Sequence, residues 1–229
     1  MGGQTSSHKG YRVMAVYPNS PLSEIGIEPL LDYMVIPDDN KYFNNTDNFA
    51  AIVSKCEGKV FPLNLYNIAD QEVRQTKIVP RKWEGRGLLG ADFVLEEFTE
   101  NFSPALRVMS IYAGSPLDRA GVKPFTDYIL GTKRQTFQSI QDFEVYIKCC
   151  DKAPVSLQVY SSQSENVREV IVIPDKDWGG VGLLGGDITF GAFNAIPPRQ
   201  NKRHTQSTSI QPPPDLQHSG NNDSEKPML

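Results

Sequence analysis

The chain repeats itself, and this constrains its fold more than any other feature. The stretch "YRVMAVYPNSPLSEIGIEP" at 11–29 returns as "LRVMSIYAGSPLDRAGVKP" at 106–124. Arg12, Val13, Met14, Tyr17, Ser20, Pro21, Leu22 and Gly26 recur as Arg107, Val108, Met109, Tyr112, Ser115, Pro116, Leu117 and Gly121. Further on, "LDYMVI" becomes "TDYILG", "PLNLY" becomes "SLQVY", and "WEGRGLLGADF" becomes "WGGVGLLGGDI". The chain must therefore build one unit twice.

Both copies follow one pattern. An apolar strand opens each (11–17 and 106–112). A Ser-Pro turn and a short helix follow, closed by Gly26 or Gly121 as helix C-termini prefer. After a second strand (32–36 and 127–130) comes an amphipathic helix. Phe49, Ile52, Val53 and Cys56 fall at i, i+3, i+4 and i+7, and Phe143, Tyr146, Ile147 and Cys150 keep that spacing. Thr46 and Ser139 stand where N-caps are expected. Two more strands (60–66 and 72–79; 155–160 and 168–173) lead to the glycine loop, and a last strand leaves it. The expected organisation is a flexible start at 1–10, a first domain at 11–100, a second at 101–193 and a disordered tail at 194–229. The tail is expected because that stretch is polar and proline-rich, without periodicity.

Gly85, Gly87 and Gly90 have the G-x-G-x-x-G spacing of a dinucleotide loop, as do Gly180, Gly182 and Gly185. Such a loop needs a helix after it to hold the pyrophosphate. "ADFVLEEF" and "GDITFGAF" carry no helical pattern. Two uses remain. The glycines could simply make a tight turn, with the leucines filling the core. Alternatively, successive amides of the turn could hold the carboxylate of a peptide that adds as a strand to the following edge. In the first copy the donors would be Leu89, Gly90 and Ala91, and the apolar wall Leu88, Leu89, Phe93, Ile52 and Val53. The second groove would use Leu184, Gly185, Gly186, Ile188, Tyr146 and Ile147. Arg86 in the first loop stands where Val181 stands in the second, and its charge favours the first copy as the working site.

The net charge of −4 and a pI near 5.4 argue against nucleic-acid binding, which requires a basic face. His8, His204 and His218 lie outside the two copies, so a histidine-based catalytic pair within them is not expected. Cys56, Cys149 and Cys150 lack metal-ligand spacing and read as reduced thiols. The expectation is a non-enzyme with no cofactor and no metal, on the cytosolic side. "MGGQTS" satisfies M-G-x-x-x-[ST], making Gly2 a candidate for myristoylation. One acyl chain binds membranes with K on the order of 10⁴ M⁻¹, so a second contact is needed. The basic candidates are Lys9, Arg12, Arg199, Lys202 and Arg203. The "KPML" stretch ending at Leu229 could also enter a groove.

Tandem "W-x-G-x-G-LLG" motifs, each opened by "SPL-x-x-x-G" behind Met-Gly, closely resemble the Golgi reassembly and stacking protein family over roughly residues 1–191. The resemblance implies an α+β, β-rich fold: two tandem PDZ-like domains in circularly permuted strand order. It also implies a lipid-anchored peripheral tether on the cytoplasmic face of Golgi membranes. Such a tether self-associates in trans, binds golgin-type coiled-coil proteins and cargo C-terminal peptides, and serves Golgi organisation and unconventional secretion. By that match, Ile52, Val53 and 88–93 would carry self-association. The alternative is a soluble PDZ adaptor for C-terminal peptides. Two departures stand out. Where some members place a histidine and a cysteine for zinc, this chain has Arg12 and Glu96, so no such site is expected. The tail also lacks any Ser-Pro or Thr-Pro step for mitotic phosphorylation.

Overall fold

A computed structural model describes residues 7–35, 49–99, 105–191 and 194–200. The first copy forms β1 (Ser7–Val16), a 3-10 turn (Pro21–Glu24), β2 (Asp32–Val35), α1 (Phe49–Lys55), β3 (Phe61–Asn67), β4 (Glu72–Ile78) and β5 (Ala91–Thr99). The second forms β6 (Leu106–Ile111), α2 (Pro116–Arg119), β7 (Asp127–Gly131), α3 (Ile140–Lys148), β8 (Val155–Ser161), β9 (Asn166–Val172) and β10 (Gly186–Thr189). Each makes a five-stranded antiparallel sheet, ordered β4-β3-β2-β1-β5 and β10-β6-β7-β8-β9. The last strand of each copy thus lies beside its first, at a sheet edge. This is the permuted order implied by the resemblance.

Local chemistry explains the shared elements. Ser20 and Ser115 cap the short helical turns, accepting from the amides of Ser23 and Asp118, with proline in the first turn, where its missing N–H costs nothing. Gly26 and Gly121 follow at φ of +67° and +74°. Ser139 caps α3 by accepting from Asp142 N at 3.1 Å, as expected, whereas Thr46 lies outside the described residues. In both copies an aspartate at the start of the second strand is fully buried: Asp32 and Asp127. Each is held by a guanidinium from the fourth strand, Arg74 on Asp32 and Arg168 on Asp127. Asn67 adds a bond of 2.7 Å to Asp32.

β1 begins at Ser7, inside the stretch expected to be flexible, because β5 runs on to Thr99 and pairs with residues 7–10. His8 accordingly lies in the first sheet.

Besides the core of each copy, a third apolar cluster joins Met14, Tyr33, Tyr66 and Ile68 of the first to Tyr128, Leu130 and Tyr160 of the second. Ile196, fully buried, completes it. Residues 194–200, expected to belong to a disordered tail, are therefore packed between the copies. Arg199, only 4% exposed, pairs with Glu28 at 2.6 Å and Asp70 at 3.4 Å, and its Nη2 also donates to the Glu165 carbonyl. Its amide donates to the Ala69 carbonyl, and Gln71 donates to the Ile196 carbonyl. No other part of the expected tail is among the described residues.

Candidate functional site: two glycine loops at sheet edges

Trp83 and Trp178 shape the loops. Their indole N–H groups donate to the carbonyls of Gly87 (3.0 Å) and Gly182 (2.7 Å). A Cβ on Gly85 or Gly180 would lie 2.1 Å from the ring of its tryptophan. A Cβ on Gly185 would lie 2.3 Å from that of Ser115. The Ser-Pro and glycine motifs therefore touch, and the glycines are required by packing as well as by the turn.

Three successive carbonyls of each loop are bound within their own copy. Leu88 O accepts from Arg81 N, Leu89 O from Leu22 N and Gly90 O from Tyr17 N, at 3.1, 3.1 and 2.9 Å. Leu183 O, Leu184 O and Gly185 O likewise accept from Asp175 N, Leu117 N and Tyr112 N, at 2.9, 3.1 and 2.9 Å. In a trans peptide the N–H points opposite to the C=O of the same plane, and there are no cis peptides among the described residues. The amides of Leu89, Gly90 and Ala91, and of Leu184, Gly185 and Gly186, therefore point away from the groups that hold the preceding carbonyls, with those of Ala91 and Gly186 turned from Tyr17 and Tyr112 at the ends of β1 and β6. Those of Leu89, Gly90 and Ala91 are the donors named for the first copy from the sequence.

In the first copy Ile52, Val53 and Leu89 are buried in the core, with Leu88, Ala91 and Phe93 packed partly exposed against it. Phe49 links α1 to the sheet, stacking on Tyr11 at 4.4 Å and meeting Phe93 edge-on at 5.7 Å. Arg86 is exposed beside the Tyr17–Asp92 hydrogen bond of 2.7 Å, which holds the Tyr17 hydroxyl above its ordinary pKa.

In the second copy a cavity of about 320 Å³ opens between α3, the loop and β10. Leu184, Gly185, Gly186, Ile188 and Ile147 line it, as expected. Tyr146 does not; its ring packs on Phe137 at 5.4 Å. The sequence reading missed Ile140, Glu144, Lys148 and Leu183. The Ser139 cap held the clue, since starting α3 at residue 140 puts 140, 143, 144 and 147 on one face.

Arg12 is fully buried, so it cannot be the lipid contact it was a candidate for, and burial removes Arg199 from that role too. Lys9 is exposed and 3.6 Å from Glu97, while Lys202, Arg203, Gly2 and Leu229 lie outside the described residues. Arg12 pairs instead with Glu96 at 3.5 Å and donates to Leu30 O at 2.9 Å. Glu96 also accepts from Tyr33 at 2.8 Å and, across the copies, from Thr136. Among the described residues no group of three or more His, Cys, Asp or Glu could hold a metal ion, and no helix is long and apolar enough to cross a membrane.

A model of the GRASP55/65 PDZ-like domain matches residues 3–95 and 63–199. Golgi reassembly-stacking protein 1 of Mus musculus is 32% identical over 211 residues, covering 92% of this chain and 47% of that protein. The Homo sapiens protein of that name is 32% identical over 197 residues, covering 86% and 44%. The 26S proteasome non-ATPase regulatory subunit 9 of Mus musculus is 31% identical over 86 residues, 36% of this chain. The chain spans about half the length of the Golgi reassembly-stacking relatives. With the doubled tryptophan–glycine loop at each sheet edge and a family match over both copies, the chain belongs to the GRASP55/65 PDZ-like domain family.

Proposed function

We propose that this chain is a non-catalytic scaffold of Golgi membranes that tethers them by associating with further copies of itself in trans. The observation that carries the reading is that the amides at each glycine loop are turned from the groups that hold the preceding carbonyls, next to an edge strand (β5 or β10) and an apolar helix face. Such an edge binds an extended partner through main-chain hydrogen bonds and selects it through side-chain pockets. Self-association is assigned to Ile52, Val53, Arg86, Leu88, Leu89, Gly90, Ala91 and Phe93. Gly2 supplies a myristoyl anchor, golgin-type coiled-coil proteins and cargo C-termini are further partners, and the setting is the cytoplasmic face of the Golgi, with a role in secretion.

The test is aggregation of beads coated with the chain, alongside a Leu88→Asp variant shown by circular dichroism to fold. Aggregation that fails for the variant supports trans association. Folded protein that never aggregates beads, yet binds peptides, would replace the tether with a soluble adaptor. Gly2→Ala should release the chain from membranes in cells.

A further inference from the structure

We infer that the glycine-loop end of the first copy is a docking surface for an anionic lipid bilayer. Backbone hydrogen bonds bring its parts together. Gly58 N, in the turn after α1, donates to Pro80 O, and Arg81 N donates to Leu88 O. Lys55 in the last turn of α1, Lys59, Lys82 and Arg86 are thereby gathered at one end of the first sheet, and all four are exposed. Among the described residues none of the four has an ion-pair partner, and only two acids, Glu57 and Glu84, flank them in the chain. Arg81 is already held by Glu24 at 2.5 Å. Val60, which follows Lys59 and is 55% exposed, and the half-buried Trp83 add apolar surface.

The second copy supplies the contrast. The same backbone frame recurs there, with Lys152 N donating to Pro174 O and Asp175 N to Leu183 O. Yet Cys149, Ala153 and Val181 stand where the first copy has Lys55, Lys59 and Arg86. The lysines at that end are neutralised: Lys148 by Glu144 at 3.6 Å, Lys152 by Asp177 at 2.6 Å and Lys176 by Asp151 at 3.8 Å. A chain of net charge −4 thus concentrates unpaired positive charge at one of two equivalent ends. An anionic bilayer offers many charges in one plane, and each Lys or Arg brought near it strengthens binding about fivefold. Basic residues around a tryptophan and an exposed aliphatic side chain suit its interfacial layer. β1 runs from Ser7, opposite Thr99, to Val16, opposite Ala91 of the loop, so this surface lies about 30 Å from the start of β1. The contact is therefore separate from any lipid at the N-terminus, and it uses neither groove.

The test is cosedimentation of the full chain, made without acylation, with vesicles of phosphatidylcholine alone or with about 30% phosphatidylserine. Binding should require the anionic lipid and should fall as salt is raised to about 0.5 M, where surface charges are screened. Lys55→Gln, Lys59→Gln and Lys82→Gln together should weaken it by at least about tenfold. Arg86 is left in place because self-association is assigned to it. The matching triple, Lys148→Gln, Lys152→Gln and Lys176→Gln, removes the same net charge and should cost less than about threefold. Circular dichroism should show both triples folded, since all six side chains lie on the surface. Equal losses for the two triples, equal binding to neutral vesicles, or no binding to the anionic ones would each overturn the inference.

Discussion

Ser20 lies directly against Gly90: a Cβ at Gly90 would fall 2.1 Å from the serine Cβ and 2.7 Å from its hydroxyl. Gly90 also has φ of +75°, where a side chain is strained. Gly90→Ala should therefore cost about 2–4 kcal/mol in urea denaturation, combining left-handed strain with overpacking. Gly87, at φ +71° with open space around it, should lose only about 1 kcal/mol as alanine. Equal losses at the two positions would refute the contact argument.

Asp32 and Asp127 are buried carboxylates, each held by a single arginine. Removing that partner strands the negative charge. Arg74→Met and Arg168→Met should each destabilise by about 3 kcal/mol, despite the partial exposure of the arginines. Pairing the first with Asp32→Asn should recover part of the loss, measured as a double-mutant cycle.

Arg199→Ala should cost on the order of 3 kcal/mol, since it leaves Glu28 and Asp70 without their buried cation. It should also speed proteolytic cleavage between the copies, as followed by mass spectrometry of the fragments. An ordinary tail arginine would leave both measurements unchanged.

Burial holds the Tyr33 hydroxyl well above its ordinary pKa of 10; Arg12 opposes the shift and Glu96 adds to it. A native pKa above the unfolded value stabilises the fold below about pH 10. That contribution is lost as pH rises from there towards the native value, because only the unfolded chain releases the proton. Stability should therefore fall steeply above pH 10, and Tyr33→Phe should flatten the fall. Burial of Tyr128 and Tyr160 acts in the same direction, so some slope should persist.

The doubling and the glycine loops were legible because each glycine answers a fixed steric demand, either a tryptophan ring or a capping serine. That these motifs touch was not, because Ser20 and Gly90 meet only once β1 and β5 pair. Residues 194–200 escaped notice because two side chains, Ile196 and Arg199, carry their docking and leave no period to read. Ser7–Gly10 escaped because its strand depends on a partner nearly ninety residues away. Ile140, Glu144 and Lys148 escaped notice because the face of α3 they share was read only from Phe143 onward.

The apolar cluster around Ile196 makes the two loops parts of one solid object. If both loops bind extended partners as proposed, a bivalent partner would meet them at a set spacing and lose no linker entropy in reaching the second after the first. On that reading, tails spaced to that span would gain avidity, while tails too closely joined would engage one loop at a time.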